Sequence, residues 1–253
     1  MELGLQGKRA IVTGGTRGIG RKIVDLLVAE GCSVGLCARD TAQVDDAVKA
    51  LSADGATVIG GRLDVSDSDA LRNWITSTAE ALGGLDILVP NASALVTGAT
   101  EEDWRLGLEV DVLGTVRAVE AAMPFLEKSD CASIVSIAST AAVNTSGSVR
   151  AYSGVKAAII SYMSGLSNIA GPKGIRANTV SPGAIYFDGG VWDYRKREQP
   201  EMYDNAIKRS PMGRLGTPDE VANAVVFLAS PAASYISGTN LIVDGAATTR
   251  IQY

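Results

Sequence analysis

No histidine occurs anywhere in the 253 residues. That absence excludes Ser-His-Asp and Cys-His nucleophilic machinery, an imidazole acid–base pair and histidine metal ligands. Proton chemistry then falls to Tyr, Lys, Asp, Glu, Ser or Cys. Cysteine is scarce too: Cys32, Cys37 and Cys131 lie in apolar stretches without Cys-x-x-Cys spacing. An odd count without pairing logic reads as reduced, buried thiols, and no metal site is expected. No apolar run approaches the ~18 residues of a membrane span. The opening MELGLQGK has no apolar core of a secretory signal, so a cytoplasmic protein is expected. Basic charge is also lacking: 23 Lys and Arg stand against 28 Asp and Glu, a net charge of −5. That balance speaks against a nucleic-acid surface.

What the chain has in excess is glycine, 28 of 253 residues, about 11% against a usual ~7%. With no repeats, the excess points to tight backbone approaches. Short apolar runs alternate with longer amphipathic segments, the pattern of βα units and a parallel sheet. Seven strands are expected, at Arg9–Thr13, Ser33–Ala38, Thr57–Leu63, Leu85–Pro90, Ser133–Ala138, Arg176–Val180 and Asn240–Val243. Helices are expected at Gly18–Ala29, Ala42–Ala53, Asp67–Leu82, Glu102–Leu126, Tyr152–Ala170 and Pro218–Leu228, the fourth bent or divided by Gly107 and Gly114. Residues 184–216, rich in aromatics, charge, Gly and Pro, break this rhythm and read as an irregular lid. No composition shift marks a linker, so residues 1–253 are expected to form one α/β domain carrying that lid.

Directly after the first strand stands Thr13-Gly14-Gly15-Thr16-Arg17-Gly18-Ile19-Gly20, followed by a helical run. Glycines let the backbone turn sharply and approach a ligand. A helix start then offers unpaired N–H groups and a positive dipole end to a pyrophosphate. The spacing Gly-x-x-x-Gly-x-Gly over residues 14, 18 and 20, preceded by Thr13, resembles the short-chain dehydrogenase/reductase family. The resemblance is to a compact single-domain branch of 3-oxoacyl-carrier-protein-reductase-like proteins, and the motifs do not separate these from hydroxysteroid, sugar and polyol dehydrogenases. The resemblance implies a Rossmann-type doubly wound parallel sheet and a nicotinamide cofactor.

Cofactor choice turns on the end of the second strand. An acidic residue there holds the ribose 2′-hydroxyl of NAD, whereas a nearby Arg accommodates the 2′-phosphate of NADP. By resemblance the selecting position is Ala38, followed by Arg39, with Arg17 as a second cation. NADP is therefore favoured and NAD remains possible. Asp40 is open to two readings, ribose ligand after a one-residue register slip or N-cap of the next helix. The resemblance makes Asp64-Val65 the adenine contact; Asp64 and Ser66 could equally cap the helix that follows. Pro90-Asn91-Ala92-Ser93 stands where the family has Asn-Asn-Ala-Gly. Asn91 keeps the ribose and sheet-bracing role, Pro90 loses a backbone donor, and Ser93 narrows the pocket. Pro182, Gly183 and Ile185 match the family's turn beside the nicotinamide, and Phe187 stands where many relatives have Thr. Together with Thr16 and Ile19, these residues complete the implied cofactor site.

Tyr152 and Lys156 are the remaining acid–base candidates. Four residues apart on a helix, they share one face, about 6 Å apart along the axis. A free phenol titrates near 10, so a base working near neutrality needs a cation nearby in a dry site. Ser139 lies thirteen residues before Tyr152, the family's serine-to-tyrosine interval. The resemblance implies that Tyr152 transfers the proton, Ser139 binds the substrate oxygen, and Lys156 holds the ribose and lowers the phenol's affinity for its proton. Asp111 replaces the family's Asn, which anchors a water relay to the lysine. Ser93, Tyr186, Phe187 and Trp192, with Ala94, Ala141, Val143 and Tyr203, are candidate substrate contacts for a moderately apolar ketone or secondary alcohol. Arg195-Lys196-Arg197 reads as a solvated lid surface or an anion contact. The resemblance also implies a homotetramer. The alternative function is a non-catalytic nucleotide-binding protein that kept the cradle, left open by Asp111, Pro90 and Ser93.

Overall fold

The computed structural model of the chain describes residues 2–52, 55–144 and 149–249. Its strands have side chains alternating between two apolar clusters, as the period of two in a strand requires. Ala10 and Val12 belong to one cluster and Ile11 to the other; Ile87 and Val89 face away from Leu88, and Val135 and Ile137 from Ile134. The strands are β1 (Arg9–Thr13), β2 (Ser33–Ala38), β3 (Val58–Arg62), β4 (Ile87–Val89), β5 (Ser133–Ile137), β6 (Arg176–Pro182) and β7 (Asn240–Val243). All pair in parallel, in the order β3-β2-β1-β4-β5-β6-β7.

A parallel sheet buried on both faces needs helices on both. On one side lie α1 (Gly18–Ala29), α2 (Thr41–Leu51) and, after the lid, the helix Pro218–Ala229. On the other lie α3 (Ser68–Ala81), Gly114–Leu126 and Ala151–Ala170. Leu71 and Ile75 of α3 are wholly buried; truncating either to Ala costs about 2–5 kcal/mol. The strand order reverses between β1 and β4, and the carboxyl ends at such a switch point form the binding crevice of open α/β sheets.

Strand β4 is shorter than the apolar run Leu85–Pro90 because Pro90 brings no N–H to the ladder, while its carbonyl accepts from Ile137 N at 3.1 Å. β6 extends two residues beyond Val180 because Ser181 and Pro182 find register partners in Ile242 and Val243. The expected division at Gly107 and Gly114 is real: α4 (Glu101–Gly107) and α5 (Gly114–Leu126) flank a π-helical segment, Leu108–Leu113. Next come α6 (Ala151–Ala170), α7 (Val191–Glu198), α8 (Pro200–Arg209) and α9 (Pro218–Ala229). The lid is therefore not irregular as expected: α7 and α8 occupy it, neither contains a fully buried residue, and α8 carries only a short half-buried stripe of Tyr203, Ala206 and Ile207. The end of α2 at Leu51 falls short of Ala53, which lies outside the described residues. No helix among the described residues is long and apolar enough to cross a membrane. Cys32 and Cys37 are buried, and burial pushes both thiols up to about 12.

Candidate active site

The turn after β1 is braced from β4. Asn91 donates through Nδ2 to the carbonyls of Thr13 and Gly14, both at 3.0 Å, and Thr13 Oγ1 accepts from the N–H groups of Asn91 and Ala92 at 3.0 and 3.1 Å. Gly14 sits at φ +67°, and a Cβ on Gly20 would collide with the Gly14 carbonyl and the Asn91 amide. Only glycine lets α1 start this close to the turn. No side chain caps α1 and no acidic residue occupies its first turn, whereas Asp40 caps α2 and Asp67 caps α3. The positive end of α1 thus faces the cradle with its N–H groups unclaimed by side chains, the arrangement that suits an anion. Ile19 lies in that first turn, and Thr16 Oγ1 bonds Gln43 Oε1 at 3.1 Å.

Around the adenine end, Arg39 is exposed at the carboxyl end of β2, near enough to Asp64 to favour its ionised form. Burial works against that form, but bonds from Ser66 N (3.0 Å) and Ser66 Oγ (2.7 Å) outweigh it and hold the Asp64 carboxyl below its usual value. Asp64 and Ser66 therefore form a turn of their own, and Asp67 is the cap of α3, accepting from Ala70 N. Asp40 takes the capping role, accepting from Gln43 N at 3.0 Å. Val65 is buried.

On the far side of the crevice, Gly183 N–H bonds the Val243 carbonyl at 2.9 Å, turning the chain after Pro182. Ile185 forms an isolated parallel bridge with Gly216 through its neighbours, Ala184 carbonyl and Tyr186 N–H. In that pattern the N–H and C=O of Ile185 itself stay outside the bridge.

The acid–base candidates meet at the carboxyl end of β5. Lys156 Nζ donates to the Ile137 carbonyl at 2.9 Å, fixing α6 to the end of that strand. Ser139 follows two residues later, buried, accepting from Ala141 N at 3.2 Å. Its own O–H is thereby left to donate elsewhere. The Lys156 ammonium is 5.8 Å from the centre of the Tyr152 ring, one turn away as the spacing implied.

Asp111 completes the cluster and enters it from the π-helical segment. Its Oδ1 stands 3.0 Å from Lys156 Nζ, with side-chain exposures of 3% for the lysine and 0% for the aspartate, and its Oδ2 accepts from Ala94 N at 2.9 Å. Two donors face one side chain. A carboxylate accepts the Ala94 N–H through Oδ2 and keeps a charged Oδ1 within ion-pair reach of the ammonium, whereas an amide offers one oxygen and no charge. That explains the aspartate in physical terms, and the partner it requires, a backbone N–H in the loop after β4, carries no sequence signal.

Ser93 Oγ accepts from Leu95 N at 3.2 Å, closing a tight turn in which Leu95 has φ +52°. The Tyr186 hydroxyl lies within hydrogen-bond reach of Asp188 (3.3 Å) and Asp193 (3.2 Å), which share its single proton, and its ring meets Tyr203 edge-on at 6.2 Å. Trp192 stacks under Arg195, 4.5 Å from its guanidinium carbon. Phe187, a candidate substrate contact, lies with its ring against Gly18 and Gly190. In the basic cluster, Arg197 pairs with Asp193 at 3.4 Å and Lys196 lies over the Tyr186 ring at 5.2 Å.

The chain is similar to known proteins over nearly its whole length. A family model described as enoyl-(acyl carrier protein) reductase matches residues 14–248. The isoepoxydon dehydrogenase of Penicillium expansum is 41% identical over 246 residues, 96% of this chain and 95% of that protein. A short chain dehydrogenase from Burkholderia cenocepacia, solved in complex with NADP, is 35% identical with a TM-score of 0.87, over 96% of this chain and 98% of that one. L-sorbose reductase from Gluconobacter frateurii, complexed with NADPH and L-sorbose, is 28% identical with a TM-score of 0.91, over 99% and 100% of the two chains.

Proposed function

Because the chain belongs to the short-chain dehydrogenase/reductase family, we propose that it is an NAD(P)-dependent oxidoreductase interconverting a ketone and a secondary alcohol, with Tyr152 as the acid–base group. One observation carries the reading: Lys156 is buried, tied to the end of β5 beside Ser139, and set one helical turn from Tyr152. Apolar side chains in place of both Lys156 and Asp111 would fill the site without burying charge, since taking each ion out of water costs several kcal/mol.

The residues fit a dinucleotide. Gly14, Gly18, Ile19 and Gly20 would receive the pyrophosphate on the uncapped start of α1, and Asp64 and Val65 the adenine. Asn91, Ala92 and Lys156 would hold the nicotinamide ribose, with Pro182, Gly183 and the free backbone groups of Ile185 beside the carboxamide. Arg17, Thr16 and Arg39 would meet a 2′-phosphate, which favours NADP(H), the cofactor form held by the Burkholderia and Gluconobacter relatives. The bound nicotinamide supplies hydride to the carbonyl carbon in reduction and accepts it in oxidation.

The chain's own residues handle the proton. Ser139 donates its free O–H to the substrate oxygen. Tyr152 delivers the phenolic proton as that oxygen becomes an alkoxide. Lys156 stabilises the resulting phenolate, its direction fixed by Ile137 and Asp111. Such proton transfer is worth about 10²–10⁴ in rate. Ser93, Tyr186 and Trp192 would border the substrate, a moderately apolar ketone or secondary alcohol. One domain over residues 1–253, a homotetramer and a cytoplasmic location complete the reading. A panel of ketones and alcohols assayed with NADPH and NADH tests it: turnover that favours NADPH is expected, and no turnover with any pair overturns it.

A further inference from the structure

The basic cluster on α7 holds three cations, and two of them have partners inside the lid. Arg197 pairs with Asp193 at 3.4 Å, and the Lys196 ammonium lies over two rings, 5.2 Å from the centre of Tyr186 and 5.9 Å from that of Tyr203. Arg195 is placed differently. It is half-buried, whereas Tyr194, Lys196 and Arg197 beside it are exposed. Three residues after Trp192, it shares a helix face with that ring, and its guanidinium carbon stands 4.5 Å from the ring centre. Arg150, the residue before α6, is near enough for its positive charge to bear on Arg195, and Tyr152 follows it by two residues. Burial and, after it, the Arg150 charge both push the Arg195 guanidinium below its ordinary value. Among the described residues Arg195 forms no ion pair, since Asp193 is the partner of Arg197, and no acidic residue occupies the first turn of α6.

A cation drawn partly out of water beside a like charge costs stability unless an anion meets it. A guanidinium stacked on an indole face keeps its N–H groups at the edge, in the plane where two parallel bonds hold a carboxylate or a phosphate. The chain's net charge of −5 repels an anion at a distance, so the attraction has to be local. We propose that Arg195 is a specificity-determining residue: fixed by Trp192 and reinforced by Arg150, it binds an anionic oxygen group of the substrate, a carboxylate or a phosphate ester, remote from the carbonyl that Tyr152 serves. This rests on the oxidoreductase reading and deepens it. The substrate becomes a keto acid or keto phosphate, or the matching hydroxy compound, with its carbon skeleton along Trp192.

Matched substrates assayed with NADPH test it. 4-Oxopentanoate, 5-oxohexanoate and 4-oxocyclohexanecarboxylate are each compared with their methyl ester, and dihydroxyacetone phosphate with dihydroxyacetone. In at least one pair kcat/KM is expected to favour the anion by about 20-fold, and the pair that responds distinguishes carboxylate from phosphate. Arg195→Gln is expected to bring that preference down to about twofold or less, chiefly by raising KM for the anion. Arg197→Gln, which removes a cation already paired with Asp193, is expected to keep the preference within about twofold of wild type. If every neutral compound is used as well as its anion, or only neutral ketones turn over, the anion site is wrong and the oxidoreductase reading stands. A full preference retained by Arg195→Gln, or one lost equally in Arg197→Gln, also overturns the assignment to Arg195. If no ketone turns over with either nucleotide, the oxidoreductase reading falls and the anion site falls with it.

Discussion

Each end of the sheet sets a buried carboxylate against a cation, and the two pairs are built differently. At the amino end, Asp86 receives Arg9 Nε, Nη2 and backbone N–H, each at 2.8 Å, and Ser129 Oγ at 2.6 Å. At the carboxyl end, Lys156 and Asp111 are buried more completely, 3% and 0% exposed against 30% and 1%, yet bonded less fully. Asp111 Oδ1 is within ion-pair reach of Nζ but has no aligned hydrogen bond. The ammonium has three N–H groups, donates a hydrogen bond to Ile137 and pairs with Asp111 among the described residues. A saturated pair fixes a strand start in place. An unsaturated one keeps capacity for a ligand. Asp86, Asp130 and Cys131 come close enough to suggest a metal site, but Asp86 is committed to Arg9 and Ser129, and Asp130 to Lys8 at 2.9 Å.

The sharpest way to break this contrast is Lys156→Met. Leaving Asp111 as a lone buried charge should cost about 3–5 kcal/mol of stability, and turnover per folded molecule should fall by about 1,000-fold. Denaturant unfolding and steady-state kinetics check both; normal turnover would reduce the lysine to a structural part.

Asp86→Asn should separate stability from activity. Breaking the Arg9 pair is expected to cost about 3 kcal/mol, with turnover of the folded protein unchanged within about twofold. Its pH signature follows from the carboxyl itself. Burial would raise it, but the bonds from Arg9 and Ser129 prevail and hold it below the usual value. The stabilisation is therefore complete above about pH 4, the unfolded value, and is lost as pH falls through the lower folded value. Unfolding free energies of the two proteins should converge in acid; a constant difference contradicts this.

Asp111→Asn probes the other end. Removing a negative charge 3.0 Å from Nζ leaves the lysine's field on Tyr152 less offset. The alkaline-side titration in kcat/KM should move to lower pH, and the maximal rate should fall about tenfold through lost positioning of Lys156. An unchanged pH profile would make Asp111 structural, like Asp86. The smallest effect is expected from exposed Arg39→Ala: KM for NADPH should rise about fivefold, with KM for NADH nearly constant, because a surface phosphate contact is worth about 1 kcal/mol. Equal changes in both constants would remove Arg39 from cofactor choice.

Much of the frame behind this contrast is legible in the amino-acid sequence. β1, β2 and β7 coincide with their expected ranges because their apolar runs are bounded by turn residues. The positions of Tyr152, Lys156 and Ser139 relative to one another follow from helical spacing and a strand end. Gly107 and Gly114 mark the limits of the π-helical segment, although not its type. The illegible parts have a common physical reason: they depend on contacts between distant segments without periodicity. Asp111 needs the Ala94 N–H, Phe187 needs the gap left by Gly18, and Arg17 needs the Gly189 carbonyl. The lid helices differ: α7 buries no apolar face and leaves no apolar pattern, whereas Tyr203, Ala206 and Ile207 of α8 stand at helical spacing and are legible as a short stripe.

The proton path through Tyr152 is the central claim, and Tyr152→Phe tests it with one paired measurement: ketone reduction with NADPH, and NADPH binding by calorimetry on the same preparation. The account predicts turnover lower by about 1,000-fold with the Kd of NADPH within about twofold of wild type. Near-normal turnover with intact binding would contradict it.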